Sequence, residues 1–440
     1  MIFKVLRNLF LFALPLFISM NLYSQRYLSD FDSSLFVKDT LRPLLKRFEN
    51  LRITGYIQPQ FQVAETKGSE SYNGGDFSEH ADNRFMLRRA RVKIDYFLTT
   101  PDSLPKALFT FQVDATERGV ALRDMFVKLY ETKKNFLSMT AGMFARPFGY
   151  EINLSSTYRE APERGRMSQI LMPSERDLGV MFTYEPLSHQ AKNRIIKLDA
   201  GIFNGQGLSG RAEFDSYKDI ISRLTLKPVN KASWTFSGGL SLLQGGWRTG
   251  TNYVYSMSER PNGDKYFAID STPSNLGDRS ARRYYGADVQ AVLHHGWGET
   301  EVRAEYWKGK QPGTATTTVN PGDTPNLNGS PLPTYQREFD GAFLLFLQNI
   351  VNKKNQLIVK YDWYDPNTSV TAEEIGKPGT NITAADIKYS TLGVGLLRHL
   401  NDHIRVVLYY DIVKNEPTQL DGYISDRDDN IFTARVHFSF

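Results

Sequence analysis

Arg89, Arg91 and Lys93 stand two residues apart, so a strand built on them would set three cations in a row on one face. Arg223, Arg405 and Arg435 recur in similar segments, each flanked by apolar residues. Residues 145–177 add Arg146, Arg159, Arg164, Arg166 and Arg176, interleaved with Glu151, Glu160, Glu163, Glu175 and Asp177. Cations lining a confined aqueous path concentrate anions and set what passes. The competing reading is that arginines and carboxylates neutralise one another and stiffen a wall. Read as catalytic machinery, the chain yields little. His399 and His403 flank a tight turn instead of sharing a helix face, which argues against a metal site. His437 and Ser439 share a strand face with no orienting partner, and Gly393 with Gly395 gives only part of a nucleotide-binding pattern. The sequence therefore predicts no enzyme, no metal and no cofactor.

The elements that must position these charges are strands. From Ile53 to Val63, Ile53, Gly55, Ile57, Phe61 and Val63 fall on one face, and Thr54, Tyr56, Gln58, Gln60 and Gln62 on the other. Segments of this kind recur at 86–98, 106–115, 122–130, 136–144, 178–184, 195–203, 220–227, 234–243, 285–293, 299–307, 339–348, 356–363, 390–397, 404–413 and 431–440. Their connections alternate between tight turns and long loops, with 116–121 short where a long one is due. A transmembrane barrel sorts its loops this way, because tight turns face the periplasm and long loops face outside. The reading is an all-β fold, a transmembrane, 16-stranded, antiparallel outer-membrane β-barrel whose lumen is wide enough for water.

Composition agrees. The 440 residues include no cysteine, 41% are hydrophobic, and mean hydropathy is −0.40. No disulfide framework or thiol nucleophile is available, and beyond the first residues no apolar run could form a membrane helix. Lys+Arg 53 against Asp+Glu 48 is too even to indicate nucleic acid as a partner. Residues 1–24 read as a secretory signal peptide, with Lys4 and Arg7 ahead of an apolar stretch. Residues 25–50 read as a short periplasmic segment, helical over 39–51, and residues 51–440 as the barrel. Aromatic residues such as Tyr96, Phe97, Tyr130, Trp234, Trp297, Tyr306, Trp363, Tyr364, Phe438 and Phe440 lie near strand ends, as interfacial girdles require. Pro59 predicts a bulge, Arg88 is expected to face lipid and snorkel outward, and 339–348 is apolar on both faces and has no readable orientation.

Several strings together resemble one family. They are Ala141 to Glu151 around Arg146-Pro147-Phe148-Gly149, then Arg176 to Val180, Phe203 to Gly207, Arg223-Leu224, Gly55 to Gln58, Phe85 to Arg91 and Gly286 to Asp288. From about residue 52 onward the chain is similar to the phosphate-selective porins of O and P type. That resemblance implies a homotrimer in outer-membrane lipid, passing small anions or hydrophilic solutes, with residues 145–177 as the constriction loop. Independently, Phe432, Ala434, Val436, Phe438 and Phe440 alternate to the last residue, a run that resembles the signal read by the barrel-assembly machinery. The departure is that this loop holds no lysine, whereas the family owes its phosphate preference to a lysine cluster. The expected function is thus passive diffusion of small hydrophilic solutes with a modest anion preference, phosphate being the sharper version. A barrel that scaffolds surface adhesion or an exported outer-membrane enzyme is the alternative.

Overall fold

The computed structural model describes residues 50–100, 104–186, 194–210 and 212–440, residue 209 without its side chain. The signal peptide and nearly all of the 25–50 segment lie outside the described residues. In chain order the strands are β1 (Leu51–Ala64), β2 (Asn83–Thr99), β3 (Pro105–Thr116), β4 (Gly119–Tyr130), β5 (Leu137–Ala145), β6 (Arg176–Tyr184) and β7 (Ile196–Phe203). There follow β8 (Asp219–Lys231), β9 (Trp234–Arg248), β10 (Val254–Glu259), β11 (Lys265–Asp270), β12 (Arg279–His295), β13 (Gly298–Gly313), β14 (Asn326–Leu327) and β15 (Ser330–Pro331). The last are β16 (Thr334–Ile350), β17 (Asn352–Asp365), β18 (Tyr389–His399), β19 (Ile404–Asn415) and β20 (Ile431–Ser439), and one short helix, α1 (Arg166–Leu171), lies between β5 and β6.

Sixteen of these strands form one closed antiparallel wall, sealed where β1 pairs with β20 through Tyr56 opposite Ser439 and Ala64 opposite Ile431. Each of the sixteen coincides with a segment the alternation predicts. The hairpins β10–β11 and β14–β15 belong to long loops; β10 adds to the end of β16 in parallel, and β14–β15 forms a separate two-stranded sheet. The long links and the two-residue link after β3 gather at one end of the wall, and the other tight turns gather at the opposite end.

The two faces meet different media. Along β1, Gln58, Gln60 and Gln62 point inward and are buried, while Ile53, Ile57 and Val63 point outward and are exposed. The same holds around the wall, with Val92, Leu129, Phe182, Leu240 and Leu408 outward. Exposed apolar residues in a continuous belt require a hydrocarbon surrounding. Of the girdle aromatics, Tyr96, Trp234, Tyr306, Phe438 and Phe440 face outward. Phe97, Tyr130 and Tyr364 fall on the inward parity of their strands, so they correct that expectation.

Two bulges alter what the lumen contains. Gln58 pairs with Arg89 and Pro59 with Leu87, which leaves Arg88 as an extra residue on β2. The bulge expected at Pro59 is therefore present, and its consequence falls on Arg88. Arg88 turns inward beside Arg89, contrary to the expected lipid-facing position. A second bulge, between Gln112 and Val113, does the same for Arg123 on β4. The segment that could not be oriented is also settled: Phe339, Phe343, Leu345 and Leu347 of β16 face inward.

Leu240 is 61% exposed in the middle of β9. Leu240→Arg is expected to destabilise the barrel by about 2–4 kcal/mol in lipid, as an outward charge at the midplane does. Reversible urea unfolding in vesicles measures this, and an unchanged midpoint would mean that this face does not meet hydrocarbon.

Candidate functional site

Residues 146–175 leave the end of β5 and turn into the barrel. The turn rests on Gly149, whose φ of +63° suits glycine, and an added Cβ there would collide with Glu305. Glu305, inward on β13, accepts the backbone N–H groups of Tyr150 at 2.8 Å and Glu151 at 2.9 Å, and Ser241 of β9 accepts that of Gly149. Beyond this point the loop is held on two sides by different physics.

On one side the hold is apolar. Phe148, Ile152, Met167, Ile170 and Leu171 pack with the inward Phe203, Leu243, Tyr284, Trp307 and Phe339, so part of the lumen is a hydrophobic core. The Phe148 ring meets Trp307 edge-on at 4.8 Å between centroids. A second cluster joins Ala161 to Phe343, Leu345, Leu347, Ile358 and Leu397. That is why 339–348 is apolar on both faces: its inner face packs against protein and its outer face meets lipid.

On the other side the hold is ionic. The Glu163 carboxylate receives Arg88 Nε at 2.9 Å, Arg89 Nη2 at 2.6 Å and Arg435 Nη2 at 2.7 Å. Arg435 also donates to the Pro162 carbonyl at 2.6 Å, and Gln60 accepts from Arg435. Burial alone would raise the Glu163 carboxyl, yet Arg88, Arg89 and Arg435 outweigh it and hold the group well below the usual carboxylate range. Glu151 accepts Lys360 Nζ at 2.6 Å, the Gly165 N–H at the start of α1 and the Ser168 hydroxyl. Arg303 forks onto Glu160 at 2.8 and 3.0 Å while pairing with Glu301 beside it.

The other predicted site residues are placed as follows. Arg91 pairs with Asp114 at 2.8 Å and donates to Ser156, and Lys93 pairs with Asp95 at 2.9 Å. Arg223 is buried and bidentate to Asp288, far from forming a row with β2. Arg405 donates to the carbonyls of Thr157 at 2.6 Å and Arg159 at 2.9 Å, so it grips the loop backbone. Of the loop arginines, Arg146 is buried and donates to the Ser174 carbonyl, Arg159 donates to Leu154, and Arg164 donates to Ser168 and Met172 and pairs with Glu175. Arg176 pairs with Asp124 and Glu175. Arg166 differs: its guanidinium lies over Tyr389 at 3.6 Å and Tyr72 at 4.6 Å, and it forms no ion pair among the described residues. Phe440 closes the seam, exchanging backbone hydrogen bonds with Gly55 at 3.0 and 3.1 Å. Sequence reasoning missed Arg88 and Arg123, the latter bound to Glu175, because a bulge reverses parity. The adjacent pair Arg88-Arg89 in an otherwise alternating strand is the signal that could have shown it.

The remaining motifs have plain roles. His437 meets Gln58 at 3.0 Å and stacks on Tyr56, and His403 Nδ1 lies 2.8 Å from the Ser439 carbonyl oxygen. Gly393 and Gly395 lie under the ring of Tyr409, which a side chain at either position would strike.

With this geometry in view, comparison with solved structures finds the same architecture. The chain is similar to the outer membrane channel DcaP of Acinetobacter baumannii, at 13% identity and a TM-score of 0.54 over 89% of this chain and 97% of that one. It is similar to Pseudomonas putida OprB, at 10% identity and 0.56 over 92% and 97%. An anion-selective porin from Comamonas acidovorans gives 11% and 0.51 over 89% and 99%. No protein-family model matches the chain, and no curated protein matches it in sequence. These likenesses show the fold of outer-membrane porins.

Glu163→Gln would leave Arg88, Arg89 and Arg435 converging without a counter-charge, a loss of about 3–5 kcal/mol for a broken buried pair. The expected result is a loosened loop, with higher or noisier single-channel conductance; conductance identical to the parent would show that Glu163 does not hold the loop. Because the folded carboxyl lies below its ordinary value of 4.5, its contribution is complete above that value and disappears only as pH falls through the depressed one. Acid should therefore reproduce the Gln phenotype only well below pH 4.5, and onset near neutral pH would contradict this assignment.

Proposed function

We propose that this protein is a porin of a Gram-negative outer membrane that passes small hydrophilic solutes by diffusion. The observation that carries the reading is a closed wall with a largely polar inner face, narrowed by a loop anchored on one side by apolar packing and on the other by ion pairs. A catalytic barrel would need a polar constellation directed at a substrate, whereas the charges described above are spent on one another. A homotrimer is the assembly that the family resemblance suggests, and Phe440 is the proposed assembly signal.

Selectivity on this reading is modest and favours anions. Lys128, inward on β4, makes no ion pair among the described residues and lies 5.1 Å from the centre of the Tyr130 ring. Arg166 likewise makes no ion pair among the described residues, and unlike Arg159 and Arg405, whose guanidinium groups bind loop carbonyls, its guanidinium lies against tyrosine rings. Arg89, Arg91 and Arg435 remain along the proposed path; Arg91 faces Asp114, while Arg89 and Arg435 share the single Glu163 carboxylate with Arg88. Phosphate is one such anion, and the loop offers it no cluster of uncommitted cations.

Planar-bilayer recording tests both levels. Discrete conductance steps are expected, and their absence would remove the porin reading in favour of a scaffold for adhesion or for an enzyme. In a salt gradient the reversal potential should report a weak anion preference that falls in Lys128→Glu. A preference for cations in the parent protein would overturn the bias proposed here.

A further inference from the structure

Next to the anchored loop, on the side of the long links, lies a cavity of about 240 Å3 walled by Tyr72, Tyr364, Tyr389 and Tyr423, with Arg166 and Asp429 at its surface. A narrower cavity of about 30 Å3 shares Tyr72, Arg166 and Asp429 and runs inward to Glu163, Lys360 and Asp411. The larger space thus sits at the mouth of the constriction. Its volume lies below the roughly 300–1,000 Å3 of drug-sized sites, so it suits one small solute unit.

Two groups in it are incomplete. The faces of the Arg166 guanidinium are covered by Tyr72 and Tyr389, and its backbone N–H is held by Asp362 at 3.3 Å, but its in-plane donors have no partner among the described residues. Asp429 is 6% exposed, and its Oδ1 is buried with no hydrogen-bond partner. A buried acceptor of this kind costs free energy unless something supplies a donor. Burial, opposed by Arg166 and Arg427, pushes this carboxyl up to about 6.

A free anion would meet Arg166 but also Asp429 and Glu70; a free cation would meet the reverse. A neutral solute with several hydroxyls can donate to Asp429, accept from Arg166 and lay its C–H face on a tyrosine ring. We propose that this cavity is a binding subsite for a neutral sugar unit, a site that loads solute at the entrance to the constriction. The inference rests on the porin reading for its consequence, whereas binding itself does not require conduction.

The test uses the full mature protein in detergent and in planar bilayers, with glucose and maltose as probes and glycine and inorganic phosphate as controls. Calorimetry in detergent should show saturable sugar binding in the millimolar range, weakened at least tenfold in Tyr389→Ala and Asp429→Asn and retained in Tyr389→Phe. In bilayers the same sugars should reduce ion current saturably, with the same rank among variants. Absence of calorimetric binding to the folded, heat-modifiable protein would overturn the proposal, as would binding unchanged in Tyr389→Ala and Asp429→Asn. Saturable binding of glycine or phosphate in place of sugar would overturn the assigned class. Binding without conductance steps would keep the subsite and reject the porin reading, so the two failures are distinguishable.

Discussion

The interior of this barrel depends on Glu163. Arg88 and Arg89 on β2 and Arg435 on β20 flank β1 on either side of the closing seam, and they converge on one point. Three guanidinium groups brought together with little access to water would repel one another and lose solvation. The carboxylate that satisfies them comes from a loop between β5 and β6, far along the chain. Closing the wall and docking the loop are therefore coupled. Glu151 repeats the arrangement with Lys360, and Glu175 with Arg123, Arg164 and Arg176. Packing of Phe148 and α1 against Trp307 and Phe339 completes the hold from the opposite side.

This coupling explains which parts of the structure could be read from the sequence. Each wall strand separates lipid from a polar interior, so period two is written into nearly all of them. It fades at β16 because the loop brings an apolar surface inside, and the inner face of that strand no longer needs to be polar. It misleads at Arg88 because one extra residue exchanges the two faces, and nothing in the side-chain pattern marks the exchange except two neighbouring arginines. The aromatic residues show a related limit. Tyr364 lies at a strand end, as a girdle residue would, yet it points into the core, where its hydroxyl lies 3.1 Å from that of Thr318 in the loop between β13 and β16.

The candidate site was legible in type and not in direction. Five arginines and five acids in residues 145–177 announce a charged loop, and the strands announce charged walls. Which cation meets which carboxylate depends on backbone turns such as that at Gly149 and on the capping of α1 by Glu151. Arg166 illustrates the point. By sequence it is one of five equivalent arginines, but its position at the first residue of α1 carries it between Tyr72 and Tyr389, away from the carboxylates that occupy the other four or the carbonyls that bind them.

Mutual pairing also changes what the lumen offers a solute. An isolated arginine projects a net field down the channel, whereas Arg223 bound by Asp288, or Arg91 by Asp114, projects mainly a dipole that decays faster with distance. The wall then keeps hydrogen-bonding capacity while losing much of its power to attract ions of either sign. A passage of that kind discriminates by fit and hydrogen bonding more than by charge. Charge stays uncompensated only where the pairing is not one to one, as at Lys128 inward on β4, at Arg166 with Asp429 at the outer mouth, and at the three guanidinium groups that share Glu163.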